Sequence, residues 1–235
     1  MKTQETFVAQ KTARLSIDSI PFLRTETDRL LFLSMLFSCL LTAARIVHTE
    51  RRTFIFLPWN LFLAYIPYFI SSALAKSSRR GAGWWALSFI WLLFIPNSFY
   101  IITDLYHLGD NYNDRQIPQW FDLAMILSYV WNGLLLGVLS VRQMERVLLP
   151  RQTLRNELLF LYPVMWLNAL GVYVGRYLRY NSWDVVTDPF QLLRDIAVMA
   201  VHPLRHQNTW DMVFCFSILM TLIYLMMKKI SKTLT

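Results

Sequence analysis

The residues best equipped for chemistry are a few histidines and acids that sit at short, repeated spacings. His202 and His206 occur in HPLRH, and a spacing of four puts two imidazoles on one face of a helix. Asp104 and His107 stand three residues apart at the end of PNSFYIITDLYH, a stretch that starts with a helix breaker, Pro96. An acid at that distance can orient the imidazole. His107, His202 and His206 are therefore candidate zinc ligands, with Asp104 or Asp122 a candidate general base for a metal-bound water. Pro203 works against HPLRH, because it favours an extended conformation at His202 and fits a helix start better than a helix interior. The competing role of His202 and His206 is hydrogen bonding in a loop or at an interface. For Asp104 and His107 it is to stabilise the end of a kinked helix.

A second constellation, GRYLRYNSWDVVTDP, occupies residues 175–189. Arg176 and Arg179 present fixed forks of donors, and Tyr177, Tyr180 and Trp183 suit the headgroup layer of a membrane. The pattern fits contact with a lipid or an anionic substrate, with anchoring at the membrane edge as the simpler alternative. Asp184 can pair internally with Arg176 or Arg179.

These groups need a scaffold, and the composition says which kind. Of 235 residues, 55% are hydrophobic and only 16% charged, well below the roughly 25% charge of a soluble domain. A membrane is the expected solvent. The net charge of +8 flanks apolar stretches, where it anchors helices at anionic headgroups, so no nucleic acid is expected as a partner. Cys39 and Cys215 both lie in apolar runs and read as small packing residues. Residues 1–29 contain no apolar core long enough for a cleaved signal peptide.

Six segments can cross a bilayer: about 30–47, 54–75, 84–105, 121–141, 158–175 and 212–227. The first is long enough only if Arg45 extends its charge to the interface. Pro96 predicts that the third kinks and continues, or ends and restarts, with Asn97 and Ser98 supplying replacement hydrogen bonds. Asn60, Asn132 and Asn168 are expected to face inward and bond between helices. The fold class is thus an all-α integral membrane bundle over residues 30–227. A cytoplasmic segment, 1–29, precedes it and a basic tail, 228–235, follows. By the positive-inside rule, Lys76, Arg79, Arg80, Arg142, Arg146, Arg151, Arg155, Lys228, Lys229 and Lys232 place both termini in the cytoplasm. Arg51 and Arg52 oppose that rule. Asp104, His107, Asp122, Asp184, Asp188, His202, His206 and Asp211 then all fall on the outer side. Before the sixth span, Phe190, Leu193, Ile196 and Ala197 form a stripe opposite Arg194 and Asp195, expected for a helix lying on the membrane surface.

Three ordered segments resemble the bacterial domain of unknown function 1361 family: WNLFLAYIP at 59–67, LLFIPNSFYIITDLYHL at 92–108 and VGRYLRYNSWDVVTDP at 174–189. The resemblance extends over roughly residues 30–227 and implies a multispanning inner-membrane protein. It marks Asn97, Asp104, His107, Arg176, Arg179, Asn181, Trp183 and Asp184 as family-pattern residues, without a role for any of them. HPLRH lies outside the three segments that carry it.

The leading functional expectation is a bundle that binds a lipid, small molecule or envelope partner at its outer face. Asn97, Arg176, Arg179, Asn181, Trp183 and Asp184 would make the contacts. The alternatives are a zinc-dependent hydrolase of an amphiphile and a small-solute transporter. The expected location is a bacterial inner or cytoplasmic membrane.

Overall fold

The computed structural model describes residues 25–109, 117–149 and 153–233, and every regular element among them is helical. Helix α1 is Glu26–Thr49, α2 Phe56–Lys76 and α3 Ala82–Tyr100, which continues as a 3₁₀ helix, Ile101–Gly109. Then follow α4, Gln119–Leu148, and α5, Leu154–Arg176. The short α6, Asp184–Thr187, leads to α7, Pro189–Val201, and to α8, Gln207–Thr233. The acidic loop through Asp110 and Asp114, Arg151 of the basic loop and most of the expected N-terminal segment lie outside the described residues.

Six helices are long and apolar enough to cross a membrane: α1, α2, α3 with its 3₁₀ extension, α4, α5 and α8. This is the multispanning all-α bundle that the apolar segments predict. The first helix starts earlier than its apolar run because Thr25 and Asp28 close a capping box, each side chain accepting the other's backbone N–H at 3.0 Å. The axis of the bundle is α4, of whose most apolar stretch 61% is buried, against 22–39% for the other five.

Two pairs of glycines determine how closely α3 fits. Gly133 and Gly137 on α4, and Gly171 and Gly175 on α5, are each spaced by four, the pattern that lets membrane helices approach closely. A β-carbon on Gly133 would lie 2.8 Å from the Ser98 carbonyl oxygen, and one on Gly137 would lie 2.9 Å from the Phe99 ring. On the other side, a β-carbon on Gly171 would lie 2.6 Å from the Pro96 ring, and one on Gly175 would meet Tyr100 at 3.3 Å. The stretch 96–100 is therefore gripped from both sides. Pro96 does not end the helix: the α conformation runs through it to Tyr100 and only then tightens to 3₁₀ pitch. The Asn97 amide donates to the Phe94 carbonyl at 2.9 Å, within the helix at the proline, whereas the Ser98 hydroxyl donates to the Ala64 carbonyl of α2 at 2.8 Å and so ties two helices together instead of replacing a bond at the break.

Several charges settle differently from expectation. Arg45 does not reach out to the interface. It is 1% exposed, pairs with Asp122 through two contacts of 2.6 and 3.1 Å, and lies over the Phe54 ring at 4.4 Å. A fork of donors facing an acid on α4 offers inward compensation that outward extension would forgo. Lys228 is likewise no solvent-facing tail residue: α8 continues past it, and it is buried between Glu145 and Glu157, with the Tyr224 hydroxyl also donating to Glu145. The helix expected before the sixth span exists as α7, capped by Asp188 with Pro189 in its first turn. Its outward face carries Phe190, Leu193 and Val201, all more than 60% exposed, whereas Leu192 and Met199 are buried. Ile196 belongs with the inward side, where it lines a cavity, and not with the Phe190 stripe.

Candidate functional site

The inward side of α7 helps to close a cavity of about 800 Å³, within the roughly 300–1,000 Å³ range of sites for small organic ligands. Its floor is one face of α3: Phe89, Leu92, Leu93, Pro96, Asn97 and Tyr100 recur at helical spacing and all line it. Trp59, Asn60 and Leu63 of α2 form one wall, and Leu167, Leu170 and Val174 of α5 form the other. Leu192 and Ile196 of α7 complete the enclosure. The polarity is graded along these helices. Toward the middle of α3 and α5 the lining is apolar. At the end where α3 becomes 3₁₀ and α5 finishes, it consists of Asn97, His107, Arg176, Arg179, Asn181 and Ser182. Among the lining residues there is no Asp, Glu or Lys.

The change of helix pitch builds the polar end. In a 3₁₀ helix residues three apart eclipse, so Asp104 and His107 stack directly above one another, where an α-helix would keep them neighbours but offset. Both meet Arg176 at the last turn of α5. The Arg176 Nη1 lies 3.1 Å from His107 Nε2 and 3.9 Å from Asp104 Oδ1, and the guanidinium sits over the Tyr106 ring at 5.4 Å. Asp104 is fully buried behind the cavity wall and accepts from the Asn60 amide of α2 at 3.0 Å through Oδ2, while Oδ1 makes no hydrogen bond. One carboxylate thus holds two lining donors, from two helices, in place.

The connection after α5 contributes the second arginine. Arg179 adopts φ 61°, a left-handed conformation that costs a bulky residue energy, and the Tyr180 N–H folds back to the Val174 carbonyl at 3.3 Å. Asn181 follows immediately, and the Asn97 amide donates to the Ser182 hydroxyl at 2.8 Å, pinning this loop to α3. Asp184 organises the loop and does not pair with either arginine: it accepts from the Asn181 N–H at 2.6 Å and from the Thr187 hydroxyl at 3.0 Å. Those donors hold its carboxyl below the ordinary range, the Asn181 N–H foremost. The Tyr180 phenol donates to Asp195 of α7 at 2.8 Å, a bond that pushes its pKa up to about 12.

Of the sequence-derived candidates, Asn97, His107, Arg176, Arg179 and Asn181 line one cavity. Asp104 stands directly behind them, and Trp183 and Asp184 form the adjoining turn. The other candidates do not join them. Asp122 is committed to Arg45. The helical face that would carry both His202 and His206 does not form: His202 ends α7, and the chain turns through Pro203 before α8 starts at Gln207. Among the described residues, no three His, Cys, Asp or Glu side chains gather closely enough to hold a metal ion. Of the three asparagines, Asn132 bonds between helices to Ser38 at 3.0 Å and Asn60 reaches Asp104, but among the described residues Asn168 finds only the Met165 sulfur of its own helix at 3.7 Å. The apolar walls escaped residue-by-residue reading. Their signal is the 89, 92, 93, 96, 97, 100 spacing, which is apolar at one end and polar at the other.

The family described as "Protein of unknown function (DUF1361)" matches residues 59–223, which includes every wall of this cavity. No curated protein and no solved structure matches the chain.

Proposed function

The chain belongs to the DUF1361 family, and we propose that it binds an amphiphile whose apolar part lies along α3 and whose anionic head rests on Arg176 and Arg179. The observation that carries this reading is the polarity gradient of one cavity: leucines and aromatic rings along the helices, two guanidiniums and no acid at the end. A site of that kind matches a ligand that is itself graded. The two arginines supply the anion contact, because a guanidinium presents a planar set of donors suited to carboxylate or phosphate oxygens. With the basic loops on the cytoplasmic side, the polar end faces the outer surface of a bacterial inner membrane. Membrane lipids are then the nearest source of ligand.

The test is binding of anionic and zwitterionic single-chain amphiphiles to purified full-length protein, compared with Arg176→Ala/Arg179→Ala. Retained binding in a folded double variant would remove the site from consideration. Loss of binding, with insertion and thermal stability maintained, supports it. Among the described residues His107, His202 and His206 do not gather into one ligand set, so no specific observation favours the hydrolase, and none favours the transporter.

A further inference from the structure

We infer that the head of the amphiphile is a phosphate, carried on a single chain that enters sideways from one leaflet. The inference deepens the amphiphile reading and rests on it. Three independent features of the cavity support it: the donors at its polar end, its depth and the way its walls meet.

The donors exceed what a carboxylate needs. Arg176 is already engaged by His107 and Asp104, and its side chain is 18% exposed. Arg179 is exposed, makes no ion pair or hydrogen bond among the described residues, and is held at the cavity by a backbone conformation that glycine would adopt without strain. Each guanidinium offers five N–H groups, whereas a carboxylate offers two oxygens. A phosphate presents three or more oxygens and up to about two negative charges near neutral pH, so it can engage both forks. The Ser182 hydroxyl and the Asn181 amide add neutral donors to the same rim. A zwitterionic head fits poorly, because no lining carboxylate faces its cation.

The depth matches one leaflet. Phe89 and Tyr100 mark the two ends of the α3 floor, and eleven residues of helical rise span about 16 Å. That is half of the roughly 30 Å hydrocarbon core. A lipid lying along α3 would therefore have its head at the level of the surrounding headgroups and its chain within a single leaflet. The width is that of one helix face, since α2 and α5 both pack against α3 but scarcely touch one another. Between them the cavity has Trp59 at 53% and Phe89 at 59% exposure. Phe89 stands at the apolar end, where acyl chains approach, and Trp59 beside the polar end, at the level of headgroups, which makes the gap between α2 and α5 the entrance.

The experiment uses full-length protein in maltoside micelles and four probes: dodecyl phosphate, dodecanoate, dodecylphosphocholine and a two-chain phosphatidate. Binding is read by calorimetry, for the wild type and Arg179→Gly, a change that removes the charge while relaxing the backbone. We expect dodecyl phosphate to bind about tenfold tighter than dodecanoate or dodecylphosphocholine, and Arg179→Gly to erase that margin. Equal binding of dodecanoate and dodecyl phosphate overturns the phosphate but leaves the amphiphile reading intact. Phosphatidate binding as tightly as dodecyl phosphate overturns the single chain. A margin that persists in Arg179→Gly overturns the role given to Arg179. Failure of all three single-chain probes to bind folded protein defeats the amphiphile reading itself.

Discussion

The Nη1 of Arg176 lies 3.1 Å from the Nε2 of His107, and a guanidinium can only donate, so the histidine accepts there and carries its ring proton on Nδ1. The same nitrogen faces Asp104 at 3.9 Å. A histidine, an acid and an arginine from two elements thus form one unit whose output is the position of a single guanidinium. Asp104 acts through Arg176 and Asn60; it is a positioning residue, buried away from the cavity surface.

That unit predicts energetic coupling between Asp104 and Arg176. In a double-mutant cycle of Asp104→Asn and Arg176→Gln, thermal unfolding in detergent should give an interaction energy of about 0.5–3 kcal/mol. Simple additivity would mean that the two side chains are neighbours without dependence. Asp104→Asn should also weaken anionic-amphiphile binding without touching the ligand, and Arg176→Lys should not substitute, because lysine lacks the planar fork that lets a guanidinium face these neighbours and still present donors to an anion.

The grip on α3 predicts opposite outcomes for two glycines of similar appearance. Gly171→Ala drives a β-carbon to 2.6 Å from the rigid Pro96 ring and should destabilise the bundle by about 1–3 kcal/mol. Gly83→Ala meets nothing within 4 Å near the start of α3 and should be neutral or mildly stabilising. Chemical denaturation of the purified variants separates the two, and equal effects would show that α5 and α3 do not depend on this close approach.

Arg45 and Asp122 predict the cost of stranding a buried charge. Asp122→Asn leaves a 1% exposed guanidinium without its acid and should cost about 3–5 kcal/mol. Arg45→Met combined with Asp122→Leu should recover most of that loss, since the pair is then replaced by apolar packing. A loss below about 1 kcal/mol for Asp122→Asn, as for a surface pair, would contradict the burial of Arg45.

How far the sequence carries the reader depends on whether a feature is local. The six spans are legible because hydrophobic length is a property of contiguous residues. The α7 helix is legible too, from Asp188, Pro189 and an apolar stripe. Partner choice is not local. Nothing near Arg45 in the chain announces Asp122, 77 residues away, so a charge in an apolar segment reads as one that extends to the interface. In the same way Asp184 is the nearby acid for Arg176, yet the partner is Asp104, brought in by the 3₁₀ pitch of Ile101–Gly109. That pitch has no clear sequence signature after a proline that the α-helix tolerates. The two glycine pairs did carry a readable signal, small residues spaced by four on two helices, and it is the feature that explains how Pro96 fits. The cavity itself required the fold, because its floor, its two walls and the helix that encloses it come from segments that run from Trp59 to Ile196 along the chain.

The most direct test of the central claim uses a photoactivatable single-chain lipid phosphate with its reactive group near the chain end. The full-length protein in membranes is irradiated with it and the labelled residues are mapped. Binding in the cavity predicts labels concentrated on Leu92, Leu93, Leu167 and Leu170, competed away by unlabelled dodecyl phosphate and lost in Arg176→Ala/Arg179→Ala. Labels spread over the outward leucines and phenylalanines of the bundle, such as Leu33, Phe37, Leu159 and Leu222, and indifferent to the competitor and to the arginines, would contradict it.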